Sequence, residues 1–407
     1  MRWLLALLMI AGLALVGWTV RDLFRPYQGH SGSVIVNLAP GTRARETARL
    51  LVSRGVLRHE FSFLTVQALA RLRRQRIKAG EYLFDRPLRP IDVYRKLVRG
   101  DVYLHTVVIP EGSDRFDIAR ILHQQMAIDP AMLLRLAADP AAIRDLDPKA
   151  PSLEGYLFPD TYRFPRGVTP ERVVETMLAR FRHVIASRFR GDFRPSQQSL
   201  HYTMTLASLV EKETPQASER PLIAGVFTRR LQRGWDLECD PTVIYAARLG
   251  SQASDADPPG TPITASELQL DSPYNTYRNP GLPPGPICSP GEASIRAALE
   301  PAAGDSLYFV SNGHGGHVFA ATLAKHQHNV AVYRKEVAAE RRRTAAAGVA
   351  ENKVAESAAP GPRASPAAQV IRQKKAAAHS GRRKHGSTKT IKKHERASPR
   401  GLANARS

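Results

Sequence analysis

The chain of 407 residues contains only two cysteines, Cys239 and Cys288. Two thiols cannot build a framework of several disulfide bonds, and they are too few for a four-cysteine zinc site. One bridge between them in an oxidising compartment stays open as an alternative to two unpaired thiols. The sequence therefore predicts a fold that depends on its apolar core.

Long apolar runs are also scarce, because the uncharged segment 3–20, WLLALLMIAGLALVGWTV, has no counterpart elsewhere in the chain. As a helix it is long enough to cross the hydrocarbon core of a bilayer, and Trp3 and Trp18 flank it as interfacial residues often do. A cleaved signal peptide is the alternative, but a small-x-small cleavage site is missing before Arg21. We expect residues 1–21 to be an uncleaved anchor, with the remaining chain exported.

The chain has a net charge of +22, and most of this positive charge lies near the C-terminus rather than along the whole chain. Residues 341–407 hold 17 Lys and Arg against 3 Asp and Glu, which leaves +8 for the rest. This segment lacks apolar periodicity, so we expect a disordered basic tail. On an exported chain such a tail would meet acidic lipids or anionic envelope polymers and no nucleic acid, unless it has no specific ligand.

Residues 33–124 alternate short strand and helix patterns. Strands are predicted at 33–38, 79–84 and 103–109, and short joints separate them from helices, the last of which lies near 115–124. This arrangement is typical of a small α+β module. Because it has no cluster of Asp, His or Cys, the module is expected to bind a ligand or to act as a spacer rather than to catalyse a reaction.

The most informative stretch is LHYTMTLASLVEKET, residues 200–214. Its apolar residues recur at helix spacing, and Glu213 follows Leu209 by four residues and Val210 by three. Pro215 ends the helix directly afterwards. Glu213 is therefore predicted at a helix C-terminus, on the face that is otherwise apolar.

That position has a chemical consequence for the carboxyl of Glu213. Loss of water and the negative end of the helix dipole both disfavour the ionised form. Its pKa is expected to rise from about 4.3 towards neutrality, where a carboxyl can donate a proton. Glu213 is the predicted acid/base, and Glu211, on a different face of the helix, is the runner-up.

Other acids stand in segments that suit ligand binding. The loop 153–162, LEGYLFPDTY, combines aromatic rings with Glu154 and Asp160, and Asp240 begins a predicted helix. Aromatic rings often stack on sugar faces, although close packing would also explain this loop. Glu154 and Asp240 are candidates for substrate binding, and all three acids are candidates for a second catalytic carboxylate.

Residues 271–291 are dense in proline and glycine, so they form neither a strand nor a helix interior. Fixed turns in such a loop suit the presentation of polar side chains to a ligand. The predicted substrate-binding residues here are Tyr274, Asn275, Thr276 and Tyr277.

A hairpin is predicted from strands 306–310 and 317–320, joined across NGHGG. His314 and His317 lie in it, but no third ligand is spaced to join them. We therefore expect neither a metal site nor a cofactor.

Long ordered motifs between about residues 33 and 335 together resemble the YceG-like family of membrane-anchored endolytic murein transglycosylases. They read EGYLFPDTYRF, LASLVEKET, SERPLIAGVFTRRL, DPTVIY, SPYNTYRNPGLPPGPICSPG and LYFVSNGHGGHVFAATLAKHQ. The basic tail does not belong to the family pattern.

Four parts are expected, of which the tail at 341–407 is predicted from composition alone. For the rest of the chain, the resemblance implies an α+β fold with a transmembrane helix at 1–21, a LysM-like subdomain at 33–124 and a catalytic domain at 150–338. It also implies a single-pass protein of the inner membrane whose catalytic domain faces the periplasm. Peptidoglycan glycan strands would be the substrate, and peptidoglycan synthases are candidate partners.

In that family the second Glu of the EKE triplet is the acid/base, which here is Glu213. The implied reaction cleaves the β-1,4 bond between N-acetylmuramic acid and N-acetylglucosamine, leaves a 1,6-anhydro end, and serves to terminate nascent strands. Two alternatives stay open: a hydrolytic muramidase that uses water, and a non-enzymatic wall-binding assembly factor.

Overall fold

The structure is a computed structural model that describes residues 2–71, 75–193, 199–251 and 263–358. The chain divides into two units, Met1–Val337 and Ala338–Ser407. Along the described ranges the helices are α1 (Arg2–Phe24), α2 (Ala44–Ser53), α3 (Glu60–Arg71), α4 (Pro90–Arg99), α5 (Arg115–Met126), α6 (Pro130–Ala138), α7 (Pro170–Arg188), α8 (Leu200–Glu213), α9 (Arg220–Gln232), α10 (Asp240–Ser251), α11 (Glu292–Leu299) and α12 (Leu323–Ala358).

The strands form two-stranded antiparallel sheets. They are β1 (Val34–Leu38), β2 (Gly80–Phe84), β3 (Leu104–Val108), β4 (Thr161–Pro165), β5 (Tyr308–Ser311) and β6 (His317–Ala320). The pairs are β1 with β2, β3 with β4, and β5 with β6. The fold is therefore mixed α+β, as predicted, and the predicted C-terminal hairpin is confirmed.

A first apolar cluster forms between the β1–β2 sheet and helices α2 to α4. Its fully buried side chains include Leu38, Leu51, Phe63, Tyr82 and Leu97. Gly100 ends α4 in the left-handed conformation, with φ of 78°, which glycine adopts without a steric penalty.

The strand predicted at 103–109 does not belong to this first cluster. As β3 it pairs with β4, and Val107 lies opposite Tyr162 in the second cluster. Helix α5 also packs there. An alternating pattern of residues predicts a strand but not the strand with which it pairs. For this reason the prediction from sequence placed β3 and α5 in one module with the elements that precede them in the chain. The LysM-like subdomain at 33–124 and the catalytic domain at 150–338 stay predictions.

The second cluster surrounds α8. Leu206, Leu209 and Val210 are fully buried, and so are the small residues Ala207 and Ser208 between them. Helices α9, α10 and α11 all pack against α8, and residues 203–210 are all buried. The last residue of α8 is thereby fixed relative to the surrounding elements.

Helix α1 contains a segment, Ala6–Phe24, that is long and apolar enough to cross a membrane, and a signal sequence would meet the same criterion. Near its end, Trp18 stacks on Phe61 with 4.8 Å between ring centroids. The Ser62 hydroxyl donates a hydrogen bond to Asp22. These contacts join the end of α1 to α3.

The predicted disorder from residue 341 is wrong for residues 341–358, because α12 continues to Ala358. Alanine, glutamate, lysine and arginine dominate this segment, and all have high intrinsic helix propensity. Propensity therefore gives a helix here without an apolar stripe. Residues 359–407, where the rest of the basic tail was predicted, lie outside the described residues.

The second cluster offers a direct test of packing. Phe181 is fully buried and its ring meets Tyr156 edge to face, with centroids 5.3 Å apart. Phe181→Ala should lower the free energy of unfolding by about 3–5 kcal/mol, because it removes apolar contacts and leaves a cavity. Leu69→Ala, at a side chain that is 63% exposed, should change it by less than about 0.5 kcal/mol. Urea unfolding of the full chain in detergent measures both changes. Equal losses in the free energy of unfolding would contradict the placement of Phe181 in the core.

Candidate active site

Helix α8 places a carboxyl at its C-terminal end. Ser199 caps the start by accepting a hydrogen bond from the Tyr202 backbone N–H at 3.2 Å. Glu213 is the last helical residue, and Thr214 is extended, with φ of −145° and ψ of 134°. The predicted helix and the terminal position of Glu213 are confirmed.

The carboxyl of Glu213 lies in a poorly hydrated environment. Burial raises its pKa to about 7, and the charge of Asp240 adds to the rise. A hydrogen bond from the Cys239 thiol to Oε1, with the two atoms 3.0 Å apart, and the charge of His317 lower it. Near neutral pH the group can therefore both give and take a proton.

A cavity of about 380 Å³ opens beside Glu213. Its wall combines acids, an arginine, histidines and an aromatic face: Glu213, Arg230, Leu237, Glu238, Asp240, Tyr277, Phe309, Val310, Ser311, His317 and His326. This is the size of a small-ligand site, and its many donors and acceptors suit a polar ligand.

Three of the residues predicted from sequence meet in this cavity: Glu213, Asp240 and Tyr277. The Tyr277 hydroxyl donates to Asp240 Oδ1 at 2.5 Å. This bond orients the Asp240 carboxylate beside Glu213, where its charge disfavours a second ionised group.

The neighbours of Tyr277 in the proline-rich loop have buried side chains that do not line the cavity. The Asn275 amide donates to the carbonyls of Leu268 and Leu270 at 3.0 and 2.9 Å. Thr276 Oγ1 accepts from the Cys239 N–H at 3.0 Å. A loop without regular structure must satisfy its own buried polar groups, and these side chains do so.

Tyr274 is also turned inward, and its ring meets that of Tyr245 edge to face with centroids 5.1 Å apart. Glu154, the other predicted substrate-binding residue, is buried away from the cavity. It accepts from the Arg115 N–H at 3.1 Å and from the Tyr245 hydroxyl at 3.0 Å. Burial, with the charge of Asp114, raises the pKa of Glu154 to about 8. Neither Tyr274 nor Glu154 therefore lines the cavity that contains Glu213.

The remaining acids have structural partners. Asp160 pairs with Arg180 at 2.5 Å and does not line the cavity. Glu211, the runner-up for the acid/base, pairs with Arg220 at 2.9 Å and accepts the Gly291 N–H at 3.0 Å. It thereby ties α8 to α9 and to the start of α11.

Sequence reasoning missed the pairing of Glu219 with His317. Glu219 Oε1 accepts the His317 backbone N–H and Oε2 contacts Nδ1, both at 2.7 Å. The Thr214 hydroxyl also donates to Oε2, at 3.1 Å. Nothing in the sequence signals this pair, because 98 residues separate its members.

The other candidate ligands do not assemble. Cys239 and Cys288 are both buried and unpaired, so the bridge left open by the sequence is not formed. His314 is exposed in the β5–β6 turn. Within the ranges that the structure describes, no three His, Cys, Asp or Glu residues are grouped to hold a metal ion.

An α+β fold that holds a carboxyl of pKa about 7 in a polar cavity defines a protein equipped for acid–base chemistry on a polar ligand. The model of the YceG-like family matches residues 36–332, and the chain belongs to this family.

Curated relatives carry one printed name, endolytic murein transglycosylase. The protein of Bacillus subtilis (strain 168) is 29% identical over 337 residues, which cover 78% of this chain and 89% of the relative. That of Streptococcus pneumoniae serotype 2 (strain D39 / NCTC 7466) is 30% identical over 342 residues, or 77% of this chain and 60% of the relative. A crystal structure of a YceG-like protein from Listeria monocytogenes is 30% identical and covers 73% of this chain and 99% of that one, with a TM-score of 0.49.

The raised pKa of Glu213 predicts a pH-dependent stability. Between the ordinary glutamate pKa and about 7, the folded state holds a proton that the unfolded state has lost, so stability falls as the pH rises through this window. Glu213→Gln should therefore melt at a higher temperature than the parent at pH 8 and at the same temperature near pH 4.

The matched control is Glu211→Gln on the same helix. It breaks the ion pair with Arg220 and should lower the melting temperature at pH 8. Thermal unfolding followed by circular dichroism at both pH values tests the pair of variants. A Glu213→Gln melting temperature that is lower at pH 8 would contradict the desolvation argument.

Proposed function

We propose that this protein is an endolytic lytic transglycosylase that cleaves glycan strands of peptidoglycan. The supporting observation is Glu213, a carboxyl with a pKa of about 7 in a polar cavity, in a chain whose relatives bear that name. The bond cut is the β-1,4 link between N-acetylmuramic acid and N-acetylglucosamine.

In the first step, protonated Glu213 donates to the departing glycosidic oxygen as the bond from this oxygen to C1 of the muramic acid breaks. A pKa of about 7 leaves a large protonated fraction at neutral pH. The oxocarbenium-like centre at C1 is stabilised by the acetamido group of the substrate or by dipoles of the cavity wall.

In the second step, the C6 hydroxyl of the same sugar closes on C1 and forms the 1,6-anhydro ring. The proton of that hydroxyl returns to the site, so Glu213 is protonated again at the end of the turnover. Glu213 is therefore the acid of the first half and is restored in the second, and no water is consumed.

Asp240 supports one alternative activity. Glycosidases that hydrolyse use two carboxyl groups flanking the bond, and Asp240 lines the cavity together with Glu213. In a hydrolytic muramidase, Asp240 would take the second role and the products would be reducing ends. Its bond with Tyr277 favours instead a role in holding the acetamido sugars and in raising the pKa of Glu213.

The cellular setting belongs to the same proposal. Helix α1 anchors the chain in the inner membrane, residues from 22 onward lie in the periplasm, and residues 33–124 form the LysM-like subdomain that orients glycan. The enzyme ends nascent strands beside peptidoglycan synthases, and its basic tail meets anionic envelope polymers or lipids. The span of Ala6–Phe24 supports the anchor.

Product chemistry tests the activity. The full chain in detergent is incubated with uncrosslinked glycan strands, and the ends are identified by mass spectrometry. We expect 1,6-anhydro-muramyl ends from the parent and at least a 100-fold loss with Glu213→Gln, which cannot donate a proton. The Glu211→Gln variant keeps the Glu213 carboxyl and should therefore retain most of the activity. Reducing ends from the parent would indicate a hydrolase, and bound but uncut glycan would indicate an assembly factor.

The pH dependence of kcat/KM tests the acid role. Because Glu213 must be protonated, kcat/KM should fall above about pH 7. Asp240→Asn removes a charge that raises the pKa, so the fall should begin at lower pH. Cys239→Ala removes the hydrogen bond that lowers it, so the fall should begin at higher pH. If the pH at which kcat/KM falls shifted in the same direction for both variants, the opposite effects assigned to Asp240 and Cys239 on the pKa of Glu213 would be wrong.

A further inference from the structure

His317 faces the cavity of Glu213 and is held from behind by Glu219. Its ring lines the cavity and stands perpendicular to Phe309, with centroids 5.3 Å apart. Glu219 contacts both the ring Nδ1 and the backbone N–H of His317 at 2.7 Å. Gln216 adds a further tie, because its amide donates to the Gly315 carbonyl at 2.8 Å. The orientation of this histidine is therefore fixed on two sides.

The contacts of Glu219 also select the tautomer of His317. Burial alone would raise the pKa of Glu219, but hydrogen bonds from His317 and Thr214 lower it overall, so the group is a carboxylate. A carboxylate only accepts hydrogen bonds, and Nδ1 must therefore carry the hydrogen. In the uncharged ring the lone pair then lies on Nε2, which has no hydrogen-bond partner among the residues that the structure describes.

The proposed reaction needs an acceptor at this place. Glu213 carries the proton for the leaving oxygen when substrate binds, so a group that accepts the hydrogen of the C6 hydroxyl while that oxygen is still departing must be a second side chain. In its uncharged form, an imidazole whose Nδ1–H is held by a carboxylate presents the lone pair of Nε2 as a proton acceptor. His317 is such a group in the cavity that contains Glu213.

We propose that Nε2 of His317 binds the C6 hydroxyl of the muramic acid and takes its proton as the oxygen closes on C1. This assignment rests on the transglycosylase function proposed above. The bond between C1 and the leaving oxygen breaks and the bond between C1 and O6 forms. Glu213 loses one proton to the leaving group, and the hydroxyl gives one to His317.

The site then resets without another reactant. The imidazolium lies near the carboxylates of Glu219 and Glu213, and transfer of its proton to Glu213 restores the starting state. The other charged or titratable groups of the cavity are Arg230, Glu238, Asp240, Tyr277 and His326. Glu219 acts through His317 and is a positioning residue.

The test compares His317→Asn with His314→Asn in the full chain, using glycan strands and product analysis by mass spectrometry. Asparagine at 317 keeps a short N–H donor for Glu219 but lacks Nε2. We expect kcat to fall at least 100-fold. We also expect the remaining products to shift from 1,6-anhydro ends towards reducing ends, because water competes with a C6 hydroxyl that is no longer held. The same change at exposed His314 should alter neither the rate nor the products.

A second variant keeps the test decisive if His317→Asn does not fold. Glu219→Gln presents an amide that can donate to Nδ1, which moves the hydrogen of the ring to Nε2 and removes the acceptor. It should also lower kcat at least 100-fold, with the same shift towards reducing ends, while circular dichroism stays that of the parent.

The outcomes separate this inference from the function on which it rests. Parental rate and purely anhydro products from the folded His317 and Glu219 variants, with activity lost in Glu213→Gln, would overturn the role of His317 and leave the transglycosylase intact. A rate loss with purely anhydro products would also overturn it, because His317 would then only support the structure. Absence of anhydro ends from the parent would overturn the proposed function itself.

Discussion

The rest of the site depends on the dehydration of one carboxyl at the end of a buried helix. α8 is packed against α9, α10 and α11, so the backbone at Glu213 cannot shift without displacing the core. The last turn is fastened further, since Glu211 pairs with Arg220 and the Lys212 ammonium donates to the Gly112 carbonyl at 3.1 Å. Chemistry at Glu213 therefore begins from a fixed position, and no reorganisation is needed to reach it.

The neighbours of Glu213 act in opposite directions on its ionisation. Burial and Asp240 favour the neutral acid, whereas the Cys239 thiol and His317 favour the carboxylate. A group that must donate and then regain a proton needs both forms within reach at one pH, and opposing influences of this kind provide it. A glutamate whose pKa is raised to near 7 in the folded state also lowers the free energy of unfolding at high pH.

Residues that are far apart in the chain form the wall of the cavity. Asp240 begins α10, Tyr277 lies in the proline-rich loop, and His317 begins β6. Buried polar contacts set their positions: Thr276 holds the Cys239 backbone and Glu219 holds His317. The loop side chains that do not reach the cavity thus decide where the reactive side chains lie. This division explains how a loop can be rich in polar residues while only Tyr277 of its predicted set lines the site.

The sequence by itself determined the elements and the reactive carboxyl. Apolar spacing and Pro215 were enough to place Glu213 at the end of α8 on its apolar face, because both are local signals. Strand patterns located β1 to β3 and the β5–β6 hairpin for the same reason. Only the tertiary structure decided that β3 pairs with β4, that Asn275 and Thr276 turn inward, and that Glu219 meets His317. Each of these depends on which distant groups can satisfy one another's hydrogen bonds or bury one another's surface, and local periodicity carries no information about such partners.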